Sequence, residues 1–269
     1  MPAETTSEKA ALQLTVLGSG TSMGVPTLAC PCRVCHSDDP RDRRTRPSIL
    51  LSRGGQNVVI DTSPDFRAQA LRENVQRLDA IVLTHGHADH ILGFDDIRPY
   101  NMRQKEHLPV YANQETIDVL RRTFSYVFDN VPVLSTIPQV SLHLIDGPFK
   151  LLGMEFMPIP LDHGGTRVLG FRMGSAAYLT DFSRLPEQSE PLLGALDDLI
   201  LDALRDTPHP MHLTVDQALE VVRKLAPRRA WFTHISHDLP HEETNERLRG
   251  AGFPQVQVAY DGLRFEVKV

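Results

Sequence analysis

Four groups able to hold a metal ion, His85, His87, Asp89 and His90, fall within six residues of the run Thr84-His85-Gly86-His87-Ala88-Asp89-His90, directly after the apolar stretch Asp79–Leu83. An apolar stretch followed by polar residues reads as a buried strand entering a loop. Side chains alternate along a strand, so His85 and His87 point one way while a tighter turn at Ala88–His90 aims Asp89 and His90 at a neighbouring point. Two adjacent cations can be served by such a set. A plain polar loop is the competing description, but three imidazoles and one carboxylate packed this closely lack balancing charge unless a cation joins them.

Further donors must come from distant sequence. Leu142–Ile145, Met154–Ile159 and Ala177–Thr180 read as strands; the second leads into Asp162-His163, and the third delivers Asp181. In a layered α/β protein the strand ends gather ligands at one rim, which makes His163 and Asp181 completions of a two-metal site. Asp181 is the expected bridge, because Asp162 is adjacent to His163 and points to the opposite side of an extended chain. Asp61, at the end of the strand Asn57–Ile60, is either a turn residue or a carboxylate that holds a ligating imidazole by its free nitrogen.

The three cysteines form one cluster, Cys30-Pro31-Cys32-Arg33-Val34-Cys35. An odd cluster in a reducing compartment points to a metal site rather than to disulfides. Three thiolates can wrap one tetrahedral Zn²⁺ at roughly 2.3 Å per Zn–S bond, given a fourth ligand. His36 makes a cramped chelate with Cys35, so His237 is the preferred fourth donor. It follows the strand Arg229–Ile235 in Thr233-His234-Ile235-Ser236-His237, where one histidine can reach the two-metal site while the other turns to the cysteines.

The remaining pattern is α/β. Leu12–Leu17 reads as a first strand ending in Gly18-Ser19-Gly20, a turn without the lysine of a P-loop. Ile49–Ser52 and Asn57–Ile60 form a hairpin around Gly54-Gly55. Ser63-Pro64 starts a helix with Phe66, Ala70 and Leu71 on one face, and Glu115–Phe128 has the apolar spacing of a single amphipathic helix. Phe124, Tyr126 and Phe128 are expected in the core or a pocket wall. Pro109–Ala112 and Asp198–Leu204 read as strands, and Thr214-Val215-Asp216-Gln217 is a capping box for a helix ending before Pro227. Arg98 is a candidate for substrate-phosphate binding, with an ion pair to Asp95 as the alternative.

No linker, repeat or low-complexity tract interrupts residues 1–269, so one domain is expected. A net charge of −6 argues against a broad nucleic-acid footprint. Met1–Ala10 lacks the apolar core of a secretory signal, and no run approaches ~18 apolar residues. The expectation is a cytoplasmic protein without membrane contact, with a homodimer as the default assembly.

With these motifs assembled, the chain resembles the metallo-β-lactamase superfamily, and within it the PhnP-type cyclic phosphodiesterases. The resemblance rests on Leu17-Gly18-Ser19-Gly20, Cys-x-Cys-x-x-Cys at 30–35, His-x-His-x-Asp-His at 85–90 and Thr-His-Ile-Ser-His at 233–237. It implies a four-layer αβ/βα sandwich. It further implies His85, His87, His163 and Asp181 on one metal, Asp89, His90, Asp181 and His234 on the other, and a structural Zn²⁺ on Cys30, Cys32, Cys35 and His237. His212 occupies the place of an assisting histidine and, with Asp89, is a catalytic candidate. The implied activity is hydrolysis of a small or cyclic phosphodiester, such as a ribose cyclic phosphate or a nucleoside 2′,3′-cyclic phosphate. Two divalent ions, Mn²⁺ or Zn²⁺, would generate the bridging hydroxide that attacks phosphorus, ~3.5–4 Å apart as in two-metal sites generally. Rival functions are a tRNA-processing endonuclease, a thioester, lactone or β-lactam hydrolase, and a binding protein without catalysis.

Overall fold

The computed structural model describes residues 10–129 and 135–269. The reading of the first residues as free of a leader falls on 1–9, outside the described residues. Two seven-stranded mixed sheets face each other. The first half of the chain supplies β1 (Leu12–Gly18), β2 (Ser48–Arg53), β3 (Gln56–Ile60), β4 (Ala80–Val82), β5 (Leu108–Ala112) and β6 (Val140–Leu144). The second supplies β7 (Phe149–Leu151), β8 (Met154–His163), β9 (Thr166–Met173), β10 (Ala176–Leu179), β11 (Asp198–Asp202), β12 (Arg229–Thr233) and β13 (Val256–Val258). The last strand, β14 (Arg264–Val267), returns to the first sheet and pairs antiparallel with β1.

Each sheet begins as antiparallel hairpins and ends in parallel strands. The first runs β14-β1-β2-β3-β4-β5-β6, parallel from β3 onward, and the second runs β7-β8-β9-β10-β11-β12-β13, parallel from β10 onward. Parallel neighbours require crossovers, and the helices occupy those connections on the outer face of each sheet. They are α1 (Phe66–Arg72), α2 (Ala88–Ile91), α3 (Arg98–Gln104), α4 (Gln114–Thr123) and α5 (Ser125–Phe128) in the first half, then α6 (Val215–Leu225) and α7 (His241–Gly250) in the second.

Three apolar layers result, as the four-layer sandwich requires. Leu12, Leu14 and Val16 of β1 meet Phe156, Phe171, Tyr178 and Trp231 between the sheets. Leu17, Val59 and Ile81 face Phe66, Ile117 and Leu120 of the helices outside the first sheet. Leu199, Leu201 and Phe232 face Ala218, Val222 and Leu248 outside the second. At about 25 cal/mol per Å² of apolar surface, each of these layers contributes far more than any single polar contact.

Local chemistry explains the boundaries. Gly54 and Gly55 take φ of +57° and +83°, the paired left-handed residues of a tight hairpin. Thr214 Oγ1 accepts from the Gln217 amide at 3.2 Å while Gln217 Oε1 accepts from the Thr214 amide at 2.9 Å, completing the capping box of α6. Three expectations need correction. The helix over Glu115–Phe128 is two, because Phe124 leaves helical geometry at φ −115°, ψ 44°. Leu71 projects into solvent rather than onto the core face of α1. Phe124 is core, but Tyr126 is exposed and its hydroxyl donates to Asp95.

Candidate metal centres

The C-terminal ends of β3, β4, β8, β10, β11 and β12 meet at one edge of the sandwich. Asp61 follows β3, Thr84 and His85 follow β4, His163 ends β8, Asp181 follows β10, Asp202 ends β11 and His234 follows β12. Asp61, Asp181 and His234 all adopt left-handed backbone, with φ of +67°, +54° and +59°. Such conformations cost of order 1–3 kcal/mol in residues other than glycine and persist where the surroundings overdetermine them. Here each turns a side chain sharply inward at the end of a strand.

The donors form two groups that share Asp181. Ligand atoms of His85, His87, His163 and Asp181 lie within 4.8 Å of one another, as do those of Asp89, His90, Asp181 and His234. Asp181 Oδ2 stands 3.3 Å from His90 Nε2 and 3.9 Å from His85 Nε2, and its Oδ1 stands 3.3 Å from His234 Nε2. Asp89 Oδ2 lies 3.3 Å from His90 Nε2 and 3.6 Å from His234 Nε2. His87 is exposed, so this corner is open to solvent while the remainder is enclosed.

These residues fit divalent cations. The Nε2 atoms of His85, His90 and His234 are buried and make no hydrogen bond. Buried polar atoms are nearly always satisfied, and three imidazole nitrogens orphaned around shared carboxylates are what a cation would pair. The opposite nitrogens of His90, His163 and His85 are held, whereas His234 Nδ1 makes no hydrogen bond. His90 Nδ1 donates to Asp61 Oδ2 at 2.7 Å, and His163 Nδ1 donates to the Met211 carbonyl at 2.8 Å. Thr84 Oγ1 donates to Asp61 Oδ2 at 2.8 Å, so it accepts from His85 Nδ1 at 3.0 Å. Asp61 therefore takes the supporting role rather than that of a turn residue, and such partners fix the tautomer that leaves Nε2 free to ligate.

Charge points the same way. Burial and the neighbouring His90 push the His85 pKa well below its usual value, and burial lowers that of His163, which keeps both rings neutral. Burial alone would raise the Asp181 carboxyl, but His234 and His90 outweigh it and hold the group well below the usual carboxylate range. Burial likewise opposes charge on His234, yet Asp181 and Asp89 raise it to about 9. The carboxylates thus draw positive charge into the cluster, and a metal ion competes with protons for the same nitrogens.

A separate cluster lies one turn along the same loop. His237 Nδ1 is 3.2, 3.4 and 3.6 Å from the sulfurs of Cys30, Cys32 and Cys35. The amides of Thr27 and Cys35 donate to Cys35 Sγ and Cys32 Sγ at 3.2 and 3.4 Å, favouring thiolates. The amide of Cys35 is the leading cause that lowers the Cys32 thiol to about 6, whereas burial pushes that of Cys35 up to about 11. His36 instead bonds the Cys32 carbonyl. Four donors at one point suit a closed tetrahedral zinc.

Arg98 and the glycine turn after β1 each adopt the structural one of the readings open to them. Arg98 is spent on Asp95, at 2.5 Å, and on the Thr136 carbonyl at 3.2 Å, so the ion-pair alternative is the one adopted and the guanidinium has no geometry pointing to a substrate phosphate. The glycine turn after β1 is a tether: Ile235 donates to the Ser19 carbonyl at 3.0 Å and Thr21 donates to the Ile235 carbonyl at 3.1 Å. A Cβ on Gly18 would collide with the Arg46 carbonyl, which explains the glycine.

His212 is brought in by a partner that pattern reading passed over. Asp202 Oδ2 lies 3.2 Å from His212 Nδ1, and its Oδ1 lies 3.8 Å from His234 Nδ1. The His212 ring stacks on that of His234 with centroids 4.5 Å apart. The available signal was an aspartate ending a buried strand, the position that Asp61 and Asp181 also hold.

Fold and donor set are those of a metal-dependent hydrolase, and the family described as "Beta-lactamase superfamily domain" matches residues 56–235: the chain belongs to the metallo-β-lactamase superfamily. More particularly, it is similar to a solved diphosphatase from the PhnP family, with 50% identity, 96% of this chain and 98% of the other covered, and a TM-score of 0.88. An octanoyltransferase from Porphyromonas gingivalis is 38% identical over 253 residues, 92% of this chain and 50% of that protein. The chain thus spans about half the length of the first curated relatives it matches. Zn²⁺-bound PqqB from Methylobacterium extorquens shares the fold at 19% identity, with coverage of 95% and 100% and a TM-score of 0.76.

Proposed function

We propose that this protein is a phosphodiesterase that hydrolyses a small phosphodiester or diphosphate at the two donor groups joined by Asp181. The observation that carries the reading is the Asp181 carboxylate within reach of both groups, with orphaned buried imidazole nitrogens around it. The 50% identical relative described as a PhnP-family diphosphatase supports reaction at phosphorus. Ribose cyclic phosphates and nucleoside 2′,3′-cyclic phosphates are the finer substrate candidates.

His85, His87, His163 and Asp181 would hold one ion, and Asp89, His90, Asp181 and His234 the other. Bound there, Mn²⁺ or Zn²⁺ supplies the charge that acidifies water near neutral pH and neutralises oxygens at phosphorus. The protein's own groups do the rest. Asp61, Thr84 and the Met211 carbonyl keep the imidazoles aimed; Asp89 and Asp181 complete the ligand sets. Asp202 accepts from His212 Nδ1–H, which leaves Nε2 to carry the proton returned to the leaving oxygen. Cys30, Cys32, Cys35 and His237 would hold a zinc that fixes the loop bearing His234.

The reading includes one domain over residues 1–269, a small substrate rather than extended nucleic acid or membrane, a cytoplasmic location and a homodimer. Among the described residues no helix is long and apolar enough to cross a membrane. Acyl hydrolysis is the second reading, favoured by the match to the octanoyltransferase. Protein reconstituted separately with Mn²⁺ and Zn²⁺ should turn over bis-p-nitrophenyl phosphate, a nucleoside 2′,3′-cyclic phosphate or ADP far faster than octanoyl-CoA. Thioester turnover alone would overturn the proposal.

A further inference from the structure

The loop after β11 carries a second histidine, His209, that the proposed reaction does not use. The loop is braced on several sides. Arg205 donates to the Thr207 and Pro208 carbonyls at 3.2 and 3.3 Å, Arg247 pairs with Asp206 at 2.7 Å, and the Met211 carbonyl holds His163. The Met211 amide donates to His209 Nδ1 at 3.2 Å, so Nδ1 accepts and the proton of the neutral ring sits on Nε2. That Nε2 has no hydrogen-bond partner among the described residues. The His209 ring lies 5.0 Å from the ring of His212, which in turn lies 4.5 Å from that of His234. Three imidazoles therefore run outward, from buried His234 through His212 to half-exposed His209.

His212 returns the proton to the leaving oxygen, so the next donor outward meets whatever that oxygen is attached to. We infer that His209 is a substrate-binding residue whose Nε2–H donates to an anionic oxygen of the leaving group, selecting diphosphates over diesters whose leaving group carries no further anion. The inference rests on the phosphoryl-transfer reading above. In the reaction it implies, water oxygen bonds to phosphorus, the bond from phosphorus to the bridging oxygen breaks, and a water proton passes through His212 to the departing phosphate. His209 exchanges no proton. It contributes a fixed dipole, on the loop where the Arg205 guanidinium bonds the Pro208 carbonyl next to it.

The test compares wild type, His209→Ala and His209→Gln, each loaded with Mn²⁺, on ADP and on bis-p-nitrophenyl phosphate. His209→Ala should raise the KM for ADP about tenfold with kcat changed less than about twofold, the scale of one hydrogen bond to a charged group. The ratio of kcat/KM for ADP to that for the aryl diester should fall about tenfold. His209→Gln places an amide N–H near the position of Nε2 and should recover most of the ratio, while thermal unfolding of both variants matches wild type. Equal losses on both substrates, with Gln no better than Ala, would overturn the inference and leave the proposed function standing. Wild-type protein inert toward both phosphates would overturn the proposed function and this inference with it.

Discussion

The two donor clusters share one loop, only Ile235 and Ser236 separating His234 from His237, yet they are built in opposite ways. The cysteine cluster takes three of its four donors from the six-residue segment Cys30–Cys35 and presents four ligands to one point. The His/Asp cluster takes its donors from the ends of four strands, supports its imidazoles with Asp61, Thr84 and Met211, and leaves His87 exposed. Saturation by protein donors suits a structural ion, and an open corner suits chemistry. The backbone differs too: the donors Asp181 and His234 and the supporting Asp61 have positive φ, whereas none of Cys30, Cys32, Cys35 and His237 does, although Ala29 beside Cys30 is left-handed.

The contrast can be broken most directly at Asp181. Asp181→Asn should abolish turnover, on the order of 10³-fold or more in kcat given the loss of charge at the centre, and should lower the active-site metal content while any metal on the cysteine cluster stays. Metal analysis of that variant showing three ions per chain would deny Asp181 its bridging place. His212→Ala should retain all metal and lose roughly 10²–10³-fold in kcat, the range of a positioned general acid. An unchanged kcat would remove His212 from the reaction.

Finer tests separate support from ligation. Asp61→Asn should weaken active-site metal binding about 10- to 100-fold, as the loss of an imidazole's carboxylate partner does, and chelator titration reads this without any substrate. Cys30→Ser should move the other cluster instead, lowering Tm by several degrees through loss of metal-linked stability while kcat per metal-loaded active site falls far less than in the Asp181 variant. A kcat loss as large as that of the Asp181 variant would mean that the two clusters are one functional unit.

The smallest effect concerns the wall behind the cysteines. Arg33 pairs with Glu243 and Arg41 with Glu242 at the start of α7, where buried His241 accepts from Arg44 Nη2 at 3.3 Å and its amide donates to Asp42. Burial and Arg44 lower the His241 pKa from 6.5 to about 4. The unfolded chain therefore binds this proton more readily, so stability is present above pH 6.5 and is lost as pH falls toward 4, by about 1–3 kcal/mol. Urea unfolding between pH 7 and 4 should show a shallower decline in His241→Gln than in wild type.

Much of this contrast is legible in sequence, unevenly. The cysteine segment and the run His85–His90 announce themselves because their donors are neighbours in the chain, and the strands leading to His163, Asp181 and His234 follow from apolar runs that end in a donor. Asp202 escaped notice because nothing local distinguishes it from any aspartate after a buried strand. Arg98 was open between two uses because a guanidinium on a helix surface finds Asp95 three residues away as readily as a phosphate. The strand Thr166–Met173 pairs with its sequence neighbours, but Arg167, Gly170 and Arg172 interrupt its apolar pattern, whereas α7 and the return of β14 are set by partners far along the chain: β14 by β1, and α7 by Asp42 and the sheet beneath it.

Composition and spacing by themselves determined that this chain carries two donor clusters, that its strands and helices alternate in a layered arrangement, and which histidine completes the cysteines. Only the tertiary structure decided that Asp61, Asp181 and His234 bend into left-handed geometry at one sheet edge, that Asp202 holds His212 where it stacks on His234, and that His209 stands next in line. The physical reason is range. Periodicity and chelate spacing act over a few residues, whereas the convergence of six strand ends depends on two sheets burying a common apolar layer between them.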